Sequence, residues 1–403
     1  MLAIASTLLA TIGCDAHRYR GPMTRSARLR RRLVEHLLDE DVLHAPEWIA
    51  AFRAVPRHVF LPRFFVPAGG LWAAVERGDP GWLETVYSRD VLVTQLDDDP
   101  GRWELARRTG PLAGTPTSSS SMPSIMAIML EELRVRDGQC VLEIGTGTGY
   151  NAALLSHRCG AARVSTVDID PALVAAARER LAAAGYRPAC AVGDGALGFP
   201  AGTLFDRVLC TASVSEIPLP WLAQTAPGGL IVTTLNRPIG AGLVRLVAGG
   251  EGTAQGRVLA RDGRFMPLRA HRLPETGPLP MPSRGDWEQT RLPMSTVLQP
   301  REHFEFFAGL ALPGVRPVRE RDDEGAGVAL VHPDGSWVRH RKRGGADEVA
   351  QGGPRALWEL AESAFVEWCE LGKPDRDRFG VTVTGDRQEF WLDSPDGRTW
   401  PLS

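Results

Sequence analysis

Apolar and polar positions between residues 140 and 212 repeat in the order short buried strand, turn and amphipathic helix. An apolar run at 140–144 predicts the first strand, and the helix pattern after it continues through residues 152–155. Strands that alternate with helices in this way are typical of an α/β Rossmann-like fold, a parallel sheet with helices on both faces. The other predicted elements are strands at 164–170, 191–195 and 205–212, and a helix at 172–184 that follows Pro171.

A glycine-rich turn connects the first strand to its helix. Gly145, Gly147 and Gly149 stand at alternate positions, which lets the backbone turn sharply and approach a ligand closely. The helix after the turn presents unpaired backbone N–H groups at its amino terminus. Dinucleotide enzymes and simple structural turns share this pattern, so the turn by itself does not identify a ligand.

Acidic residues at the ends of the next strands narrow the choice of ligand. Asp168 ends the second strand about 20 residues beyond the turn, where a carboxylate binds a ribose diol. Asp194, beside Gly195, ends the third strand and suits the amino group of adenine. Because the sequence lacks the Gly-x-Gly-x-x-Gly spacing and an extended phosphate cradle, S-adenosylmethionine fits better than a dinucleotide. Glu143 is then expected near the α-amino group of that cofactor.

Composition excludes several classes of function. With 403 residues the chain is long enough for two domains, and its formal net charge of −2 gives no electrostatic argument for a nucleic-acid partner. The six cysteines show no Cys-x-x-Cys spacing, which argues against a disulfide framework or a metal site and fits a reducing cytoplasm. The sequence does not determine the oligomeric state, and a monomer is the working expectation.

The first residues form an apolar run at 1–13 that ends at Cys14. It is too short to span a bilayer and lacks a positively charged segment before it. A short signal segment is one interpretation. We favour the other, in which translation begins at Met23 and residues 1–22 are a poorly structured tail, and we expect no contact with a membrane.

The segments on either side of Ser118 are predicted less sharply. Residues 63–118 contain tryptophans among glycine, proline and acidic positions, which fits either a lid or peptide groove or a loop that covers the core. Residues 115–123 have the composition of a polar loop that leads into a helix at 124–133. His58 stands between prolines and is interpreted as structural.

Several of these segments together resemble the protein-L-isoaspartate O-methyltransferases, over about residues 27–270. The resemblance implies a class I methyltransferase fold, S-adenosylmethionine as cofactor with S-adenosylhomocysteine as product, and an active-site serine at the Ser-x-Pro step. Ser121 matches that serine, whereas Met122 departs from the usual residue of the family. The matching segments are 55–62, 121–123, 141–151, 192–195, 211–218, 227–229 and 265–268.

The chemistry that the resemblance implies is the methylation of a carboxylate. A carboxylate is ionised at neutral pH, so that catalysis needs alignment of the two reactants more than a strong base. Ser121 would hold that carboxylate by a hydrogen bond. The residues predicted to bind the cofactor are Ser119, Ser120, Glu143, Gly145, Thr146, Gly147, Tyr150, Asn151, Asp168, Ile169, Asp194 and Gly195.

Two departures from the family pattern concern length. The segment 63–118 is longer than in the repair enzymes, and the chain continues for more than about a hundred residues beyond the usual end. Both features resemble the subgroup that modifies ribosomally made peptides such as lanthipeptides and graspetides. That resemblance implies methylation of an aspartate in a precursor peptide, whose ester closes to an aspartimide that persists or hydrolyses to isoaspartate.

The last part of the chain predicts a small α+β domain. A proline-rich stretch at 273–293 is predicted to be a linker between a methyltransferase domain at 23–272 and a substrate-recognition domain at 294–403. Two hairpins are predicted there, at 328–338 and 379–392, with a helix from Pro354 between them. The basic run at 339–343 is interpreted as a solvated loop, with the binding of an acidic peptide as the alternative.

Three hypotheses for the function follow. The first is a carboxyl methyltransferase that matures a precursor peptide. The second is a repair enzyme that acts on isoaspartate in damaged proteins. The third is a binding module that keeps the cofactor fold without catalysis, against which the intact Gly145, Gly147, Asp168, Asp194 and Ser121 argue.

Overall fold

The computed structural model describes residues 24–200, 202–272, 286–299, 303–322 and 325–402. The predicted amino-terminal tail and positions 273–285 of the predicted linker lie outside these residues. None of the helices in the described ranges is both long and apolar enough to cross a bilayer.

Three helices open the described part of the chain, in agreement with the helical pattern that begins at Thr24. The hydroxyl of Thr24 caps the first helix by accepting a hydrogen bond from the Ala27 N–H at 3.3 Å. One side of this helix is buried and its arginine side lies largely in solvent, where Arg31 pairs with Glu35. The helices are α1 (Arg25–Asp39), α2 (Pro46–Ala54) and α3 (Arg57–Phe60).

Residues 63–118 form a small antiparallel sheet with two short helices and their own apolar core. Phe65, Leu96 and Trp103 are buried in that core. The segment therefore folds as a layer of its own and is not an extended loop. Its elements are β1 (Arg63–Ala68), β2 (Leu71–Glu76), α4 (Trp82–Val86), β3 (Leu92–Leu96), α5 (Gly101–Thr109) and β4 (Pro116–Ser120), with the strands in the order β2-β1-β3-β4.

Strand β4 corrects the prediction of a polar loop at 115–123. Ser120 lies opposite Leu92 of β3, and the Thr94 hydroxyl donates a hydrogen bond to the Ser118 hydroxyl at 3.0 Å. A run of small polar residues has no apolar alternation, so only the pairing with β3 makes it a strand. The predicted helix at 124–133 is confirmed as α6 (Pro123–Glu132).

The predicted α/β fold is confirmed in the middle of the chain. Four parallel pairings, β5 with β6, β6 with β7, β5 with β8 and β8 with β9, build the central part of one sheet. All four residues of β5 are buried, as expected for a strand covered on both faces. The elements are β5 (Val141–Ile144), α7 (Tyr150–Cys159), β6 (Val164–Asp168), α8 (Pro171–Ala183), β7 (Ala189–Val192), β8 (Phe205–Val214), α9 (Leu219–Ala223) and β9 (Thr225–Leu235).

Beyond β9 the sheet continues with antiparallel strands. Two of them follow directly in the chain, and the last three come from its end, so that the sheet has ten strands within the described residues. The strands are β10 (Gly242–Gly250), β11 (Thr253–Val258), β17 (Phe379–Val383), β18 (Gln388–Leu392) and β19 (Thr399–Pro401), and the complete order is β19-β18-β17-β11-β10-β9-β8-β5-β6-β7.

A second antiparallel sheet and three helices lie between β11 and β17 in the chain. Both predicted hairpins and the predicted helix are present. The basic run at 339–343 lies in a strand, which corrects the prediction of a loop: His340 pairs with Asp347, and Arg341 pairs with Glu348. The elements are β12 (Glu288–Thr290), α10 (Met294–Leu298), α11 (Phe304–Ala311), β13 (Arg316–Asp322), β14 (Gly325–Val331), β15 (Trp337–Arg343), β16 (Ala346–Gly352) and α12 (Leu357–Glu370), with the strands in the order β12-β16-β15-β14-β13.

The end of the chain is thus divided between two sheets. Strand β12 falls inside the predicted linker and pairs with β16, and β17 pairs with β11 of the central sheet. Without β17 the strand β11 would be a sheet edge with unpaired backbone groups. A composition-based boundary cannot show this, because pairing between residues more than a hundred positions apart leaves no local pattern. The role of residues 294–403 in substrate recognition stays a prediction.

Candidate active site

A cavity of about 600 Å³ lies at the carboxyl ends of β5, β6 and β8. The strand order reverses here, because β6 and β8 lie on opposite sides of β5, and ligands of open α/β sheets bind at such points. Strand β4 and the start of α6 line one wall, and residues 262–272 line another. Ten of the predicted site residues line the cavity: Ser119, Ser120, Ser121, Gly145, Thr146, Gly147, Tyr150, Asn151, Asp168 and Ile169.

The turn after β5 has the geometry that its glycines predict. Gly145 has φ 96°, and a Cβ there would lie 2.9 Å from the Thr211 hydroxyl, which donates a hydrogen bond to the Gly145 carbonyl. Gly149 has φ 86° and directly precedes α7. Left-handed backbone and a neighbour this close both require glycine. The turn therefore exposes backbone, and few side-chain atoms, to the cavity.

Asp168 is held firmly at the end of β6. One carboxylate oxygen accepts a hydrogen bond from the Gly147 N–H at 2.9 Å, and the other accepts one from the Asp170 N–H at 3.2 Å. Burial raises the pKa of Asp168, and these two N–H groups act in the opposite direction. Each oxygen keeps a lone pair for a further donor. The geometry fits the ribose-binding role that the sequence predicts.

Glu143 lies behind the cavity wall and does not line it. Its side chain is fully buried, and both oxygens accept hydrogen bonds within the protein, from Thr166 at 2.6 Å and from Asn151 at 2.8 Å. Burial raises the pKa of Glu143 to about 7, against the lowering effect of these two donors. Direct contact between Glu143 and the α-amino group of a cofactor is therefore not what this geometry offers. Asn151, which donates a hydrogen bond to Glu143, lies between Glu143 and the cavity.

The buried carboxyl of Glu143 predicts a pH dependence of stability. The pKa of Glu143 is about 7 in the folded protein and about 4.5 in the unfolded chain. Between these two pH values the folded state therefore binds more protons than the unfolded state. The free energy of unfolding then falls by about 3 kcal/mol as the pH rises through this window. The free energy of unfolding, measured with urea at pH 5 and pH 8, should differ between these pH values in the wild-type protein, and Glu143→Gln should remove most of this difference. Glu104→Gln, an exposed control, should retain it, and an unchanged difference in Glu143→Gln would contradict the assignment.

Asp194 and Gly195 do not line the cavity. The Asp194 carboxylate accepts a hydrogen bond from the Ala196 N–H at 2.9 Å and so caps a short helical turn. A Cβ on Gly195 would lie 2.5 Å from Ile144 Cγ2, and the Gly195 carbonyl accepts a hydrogen bond from Trp221. Close packing explains the glycine at 195 without a ligand. Contact of Asp194 with adenine stays a prediction.

Arg57 holds the loop that carries Ser121, a role that was not predicted from the sequence. This guanidinium is fully buried and donates to the Ser121 carbonyl at 3.1 Å, the Ser120 hydroxyl at 3.3 Å and the Ser88 carbonyl at 3.2 Å. Within the described residues no carboxylate pairs with it, and burial lowers its pKa to about 10. The arginine in the 55–62 motif was the available signal. Arg57 fixes the backbone at Ser121, whose own hydroxyl makes no hydrogen bond with any described residue.

The opposite wall consists of residues that follow β11. Ser213 at the end of β8 holds this segment by hydrogen bonds to the Met266 carbonyl and from the Leu268 N–H, at 3.0 and 2.9 Å. At the end near Asp170, Arg269 and Arg272 both pair with Asp98 of the 63–118 layer, at 3.0 and 2.5 Å. Residues from three separate parts of the chain thus enclose one cavity.

Several known proteins have sequences similar to that of this chain. The family model described as Protein-L-isoaspartate(D-aspartate) O-methyltransferase (PCMT) matches residues 108–271. A protein-L-isoaspartate O-methyltransferase of Xanthobacter autotrophicus is 45% identical over 150 residues, which are 37% of this chain and 67% of that protein. One of Methylorubrum extorquens is 33% identical over 236 residues, which are 59% of this chain and 86% of that protein. This chain belongs to the protein-L-isoaspartate O-methyltransferase family.

The solved structures agree with this fold. A structure with the name protein-L-isoaspartate O-methyltransferase has a TM-score of 0.51 and 21% sequence identity, and covers 91% of this chain and 100% of that one. Membership in the family makes the protein an S-adenosylmethionine-dependent carboxyl O-methyltransferase.

The cavity residues fit S-adenosylmethionine. Asn151 donates through its Nδ2 to Glu143, while its Oδ1 is buried and has no hydrogen-bond partner within the described residues. Such an acceptor is costly to bury unless a donor meets it, and the α-amino group of the cofactor is a donor of the right kind. Asp168 would hold the ribose, and the glycine turn would lie against the amino-acid tail.

Catalysis in this site depends on position. S-adenosylmethionine supplies a methyl group on a positively charged sulfur, and a carboxylate needs no proton removed before it reacts. The part left to the protein is to align the carboxylate oxygen with the methyl group and to exclude water. A fixed loop at Ser121, on the wall beside the glycine turn, is suited to that task. Among the described residues no group of three or more His, Cys, Asp or Glu side chains is placed to hold a metal ion.

Proposed function

We propose that this protein methylates the free carboxylate of isoaspartyl residues in peptides or proteins. The observation that carries the proposal is the similarity to the Methylorubrum extorquens protein-L-isoaspartate O-methyltransferase, which extends over 86% of that protein. The position of Ser121 on the cavity wall supports it, because a hydroxyl at this place can hold the acceptor carboxylate. The names of the relatives thus favour the isoaspartyl acceptor over the precursor peptide that the sequence analysis placed first.

The proposed reaction has two stages. A carboxylate oxygen forms a bond to the methyl carbon, and the carbon–sulfur bond breaks with its electron pair going to sulfur, which leaves neutral S-adenosylhomocysteine. The ester carbonyl is then attacked by the backbone nitrogen of the next residue. A five-membered imide forms, and methanol leaves with the amide proton. The second stage needs no group of the protein.

A precursor peptide with a normal aspartate is the second candidate acceptor. It is favoured by the segments outside the match of the family model at 108–271. Trp72, Val91 and Gln95, which line the cavity, come from the 63–118 layer before that match. The end of the chain adds three strands to the central sheet. A site with such additional segments can contact more of a bound peptide, which favours one specific peptide over isoaspartyl residues in arbitrary sequences.

Mass spectrometry with methyl-labelled S-adenosylmethionine separates the two acceptors. One substrate is an isoaspartyl peptide of arbitrary sequence, and the other is a candidate precursor peptide with normal aspartates, encoded beside the gene. We expect label in the isoaspartyl peptide and, after imide closure, a net loss of one water. Methylation of the precursor alone would replace the first proposal by the second. Transfer to neither peptide would contradict both and favour a binding module.

A further inference from the structure

Arg264 is a partly exposed cationic residue in the wall of the cavity. The residue lines the cavity, and its side chain is 42% exposed. Its Nε lies 3.1 Å from the carboxylate of Asp262, and its Nη2 lies 2.7 Å from the carboxylate of Glu305. The Nη1 atom makes no hydrogen bond with any residue that the structure describes. The two N–H groups of Nη1 and the second N–H group of Nη2 therefore remain as donors for a bound molecule.

One of the two carboxylates that hold Arg264, that of Glu305, comes from a distant part of the chain. Glu305 on α11 is almost fully buried, and besides Arg264 its Oε1 accepts a hydrogen bond from the Gly240 N–H at 3.1 Å. The other oxygen of Glu305 has no partner within the described residues. Asp262 also pairs with the largely buried Arg376, at 2.9 Å. Burying a carboxylate in this way is costly, and it fixes the guanidinium in one position.

Arg264 lies toward the acceptor end of the cavity. The residue before it, Gly263, packs so closely on α6 that a Cβ there would lie 2.7 Å from Ile125 Cδ1. Ile125 lies in the first turn of α6, shortly after Ser121 in the chain, and both line the cavity. Arg269, by contrast, pairs with Asp98 and lies 3.9 Å from Asp170, beside the predicted ribose site. The two arginines thus serve different ends of the cavity.

We propose that Arg264 binds a second carboxylate of the peptide substrate, which stays ionised while its neighbour is methylated. The inference rests on the proposed carboxyl methylation. A cation placed on the reacting carboxylate would stabilise a charge that disappears in the transition state, and so would slow the reaction. A carboxylate that is not methylated keeps its charge throughout. The favoured substrate is therefore a peptide with an acidic residue next to the methylated one.

Two pairs of isoaspartyl peptides test this inference, and the members of each pair differ only in Glu or Gln beside the isoaspartyl residue. The substitution is made once on the amino side and once on the carboxyl side. For the wild-type protein we expect kcat/KM to be at least about tenfold higher for the Glu peptide at one of the two positions, mainly through KM. In Arg264→Gln this ratio should fall to about one. In Arg264→Lys it should be intermediate, because lysine keeps the charge but not the planar fork.

Arg261→Gln is the matched control, since Arg261 is exposed three positions away and does not line the cavity. It should keep the wild-type ratio. The inference would be overturned if the wild-type protein had equal kcat/KM values for the Glu and Gln peptides at both positions. It would also be overturned if the ratio of these values stayed the same in Arg264→Gln. A Kd for S-adenosylmethionine that rises about tenfold in Arg264→Gln, with the ratio unchanged, would assign Arg264 to the carboxylate of the cofactor instead. Transfer to no peptide would overturn the proposed function itself, and the inference with it.

Discussion

Replacing Asp168 by alanine is expected to raise the Kd for S-adenosylmethionine by about 100-fold. The substitution removes a carboxylate that can accept hydrogen bonds from the ribose diol, and charge-assisted hydrogen bonds contribute about 1.5–3 kcal/mol each. It also leaves the Gly147 N–H, now bonded at 2.9 Å, without its acceptor and so loosens the glycine turn. Isothermal titration calorimetry with the purified variant measures the effect.

Asp206→Ala is the matched control for this experiment. Asp206 also accepts a hydrogen bond from a backbone N–H, that of Cys140 at 2.8 Å, but it does so at the amino end of β8. The Kd of this variant should stay close to the wild-type value. Similar losses in both variants would show that Asp168 acts through the stability of the sheet and not through the cofactor.

Replacing Ser121 by alanine is expected to lower kcat by about 10- to 100-fold, with little change in the Kd for S-adenosylmethionine. One hydrogen bond to a charged acceptor group is lost, and with it the alignment of that group. The loop itself should keep its place, because Arg57 holds the backbone carbonyl of Ser121 and not its hydroxyl. Initial rates at saturating cofactor, with the isoaspartyl peptide, give the comparison.

Ser124→Ala is the control in the first turn of α6, the helix that follows the Ser121 loop. The Ser124 hydroxyl donates a hydrogen bond to Glu40 at 2.8 Å and does not line the cavity. Its loss should affect stability more than kcat. If Ser121→Ala retained the wild-type kcat, the assignment of Ser121 as the residue that holds the acceptor would be wrong.

The predicted fold agrees best with the structure where one element follows the next directly. Strands β5, β6, β7 and β8 and the helices α7 and α8 lie within a few residues of their predicted bounds. Both faces of β5 are covered, so its apolar run is continuous and easy to recognise. The position of Asp168 on the cavity wall could also be predicted, because it follows from the place of this residue at the end of the second strand.

Other parts depended on contacts between different elements of the fold. Strand β4 has no apolar pattern and forms only against β3. Glu143 was expected near the α-amino group of the cofactor, but its side chain is fully buried and bonds to Thr166 and Asn151 behind the cavity wall. The basic run around Arg341 seemed solvated, but it pairs with Glu348 of the next strand. In each case the partner lies at a position that periodicity and spacing do not reveal.

The sequence by itself determined the α/β order, the glycine turn and the nature of the cofactor, because these depend on local backbone requirements and on the regular spacing of strand ends. Only the tertiary structure showed which side chains surround the glycine turn and the cavity. Arg57 below Ser121 and Glu305 behind Arg264 are charged groups buried beside the cavity. A charge can be buried only where distant parts of the chain supply its partners, and those partners become neighbours when the chain folds.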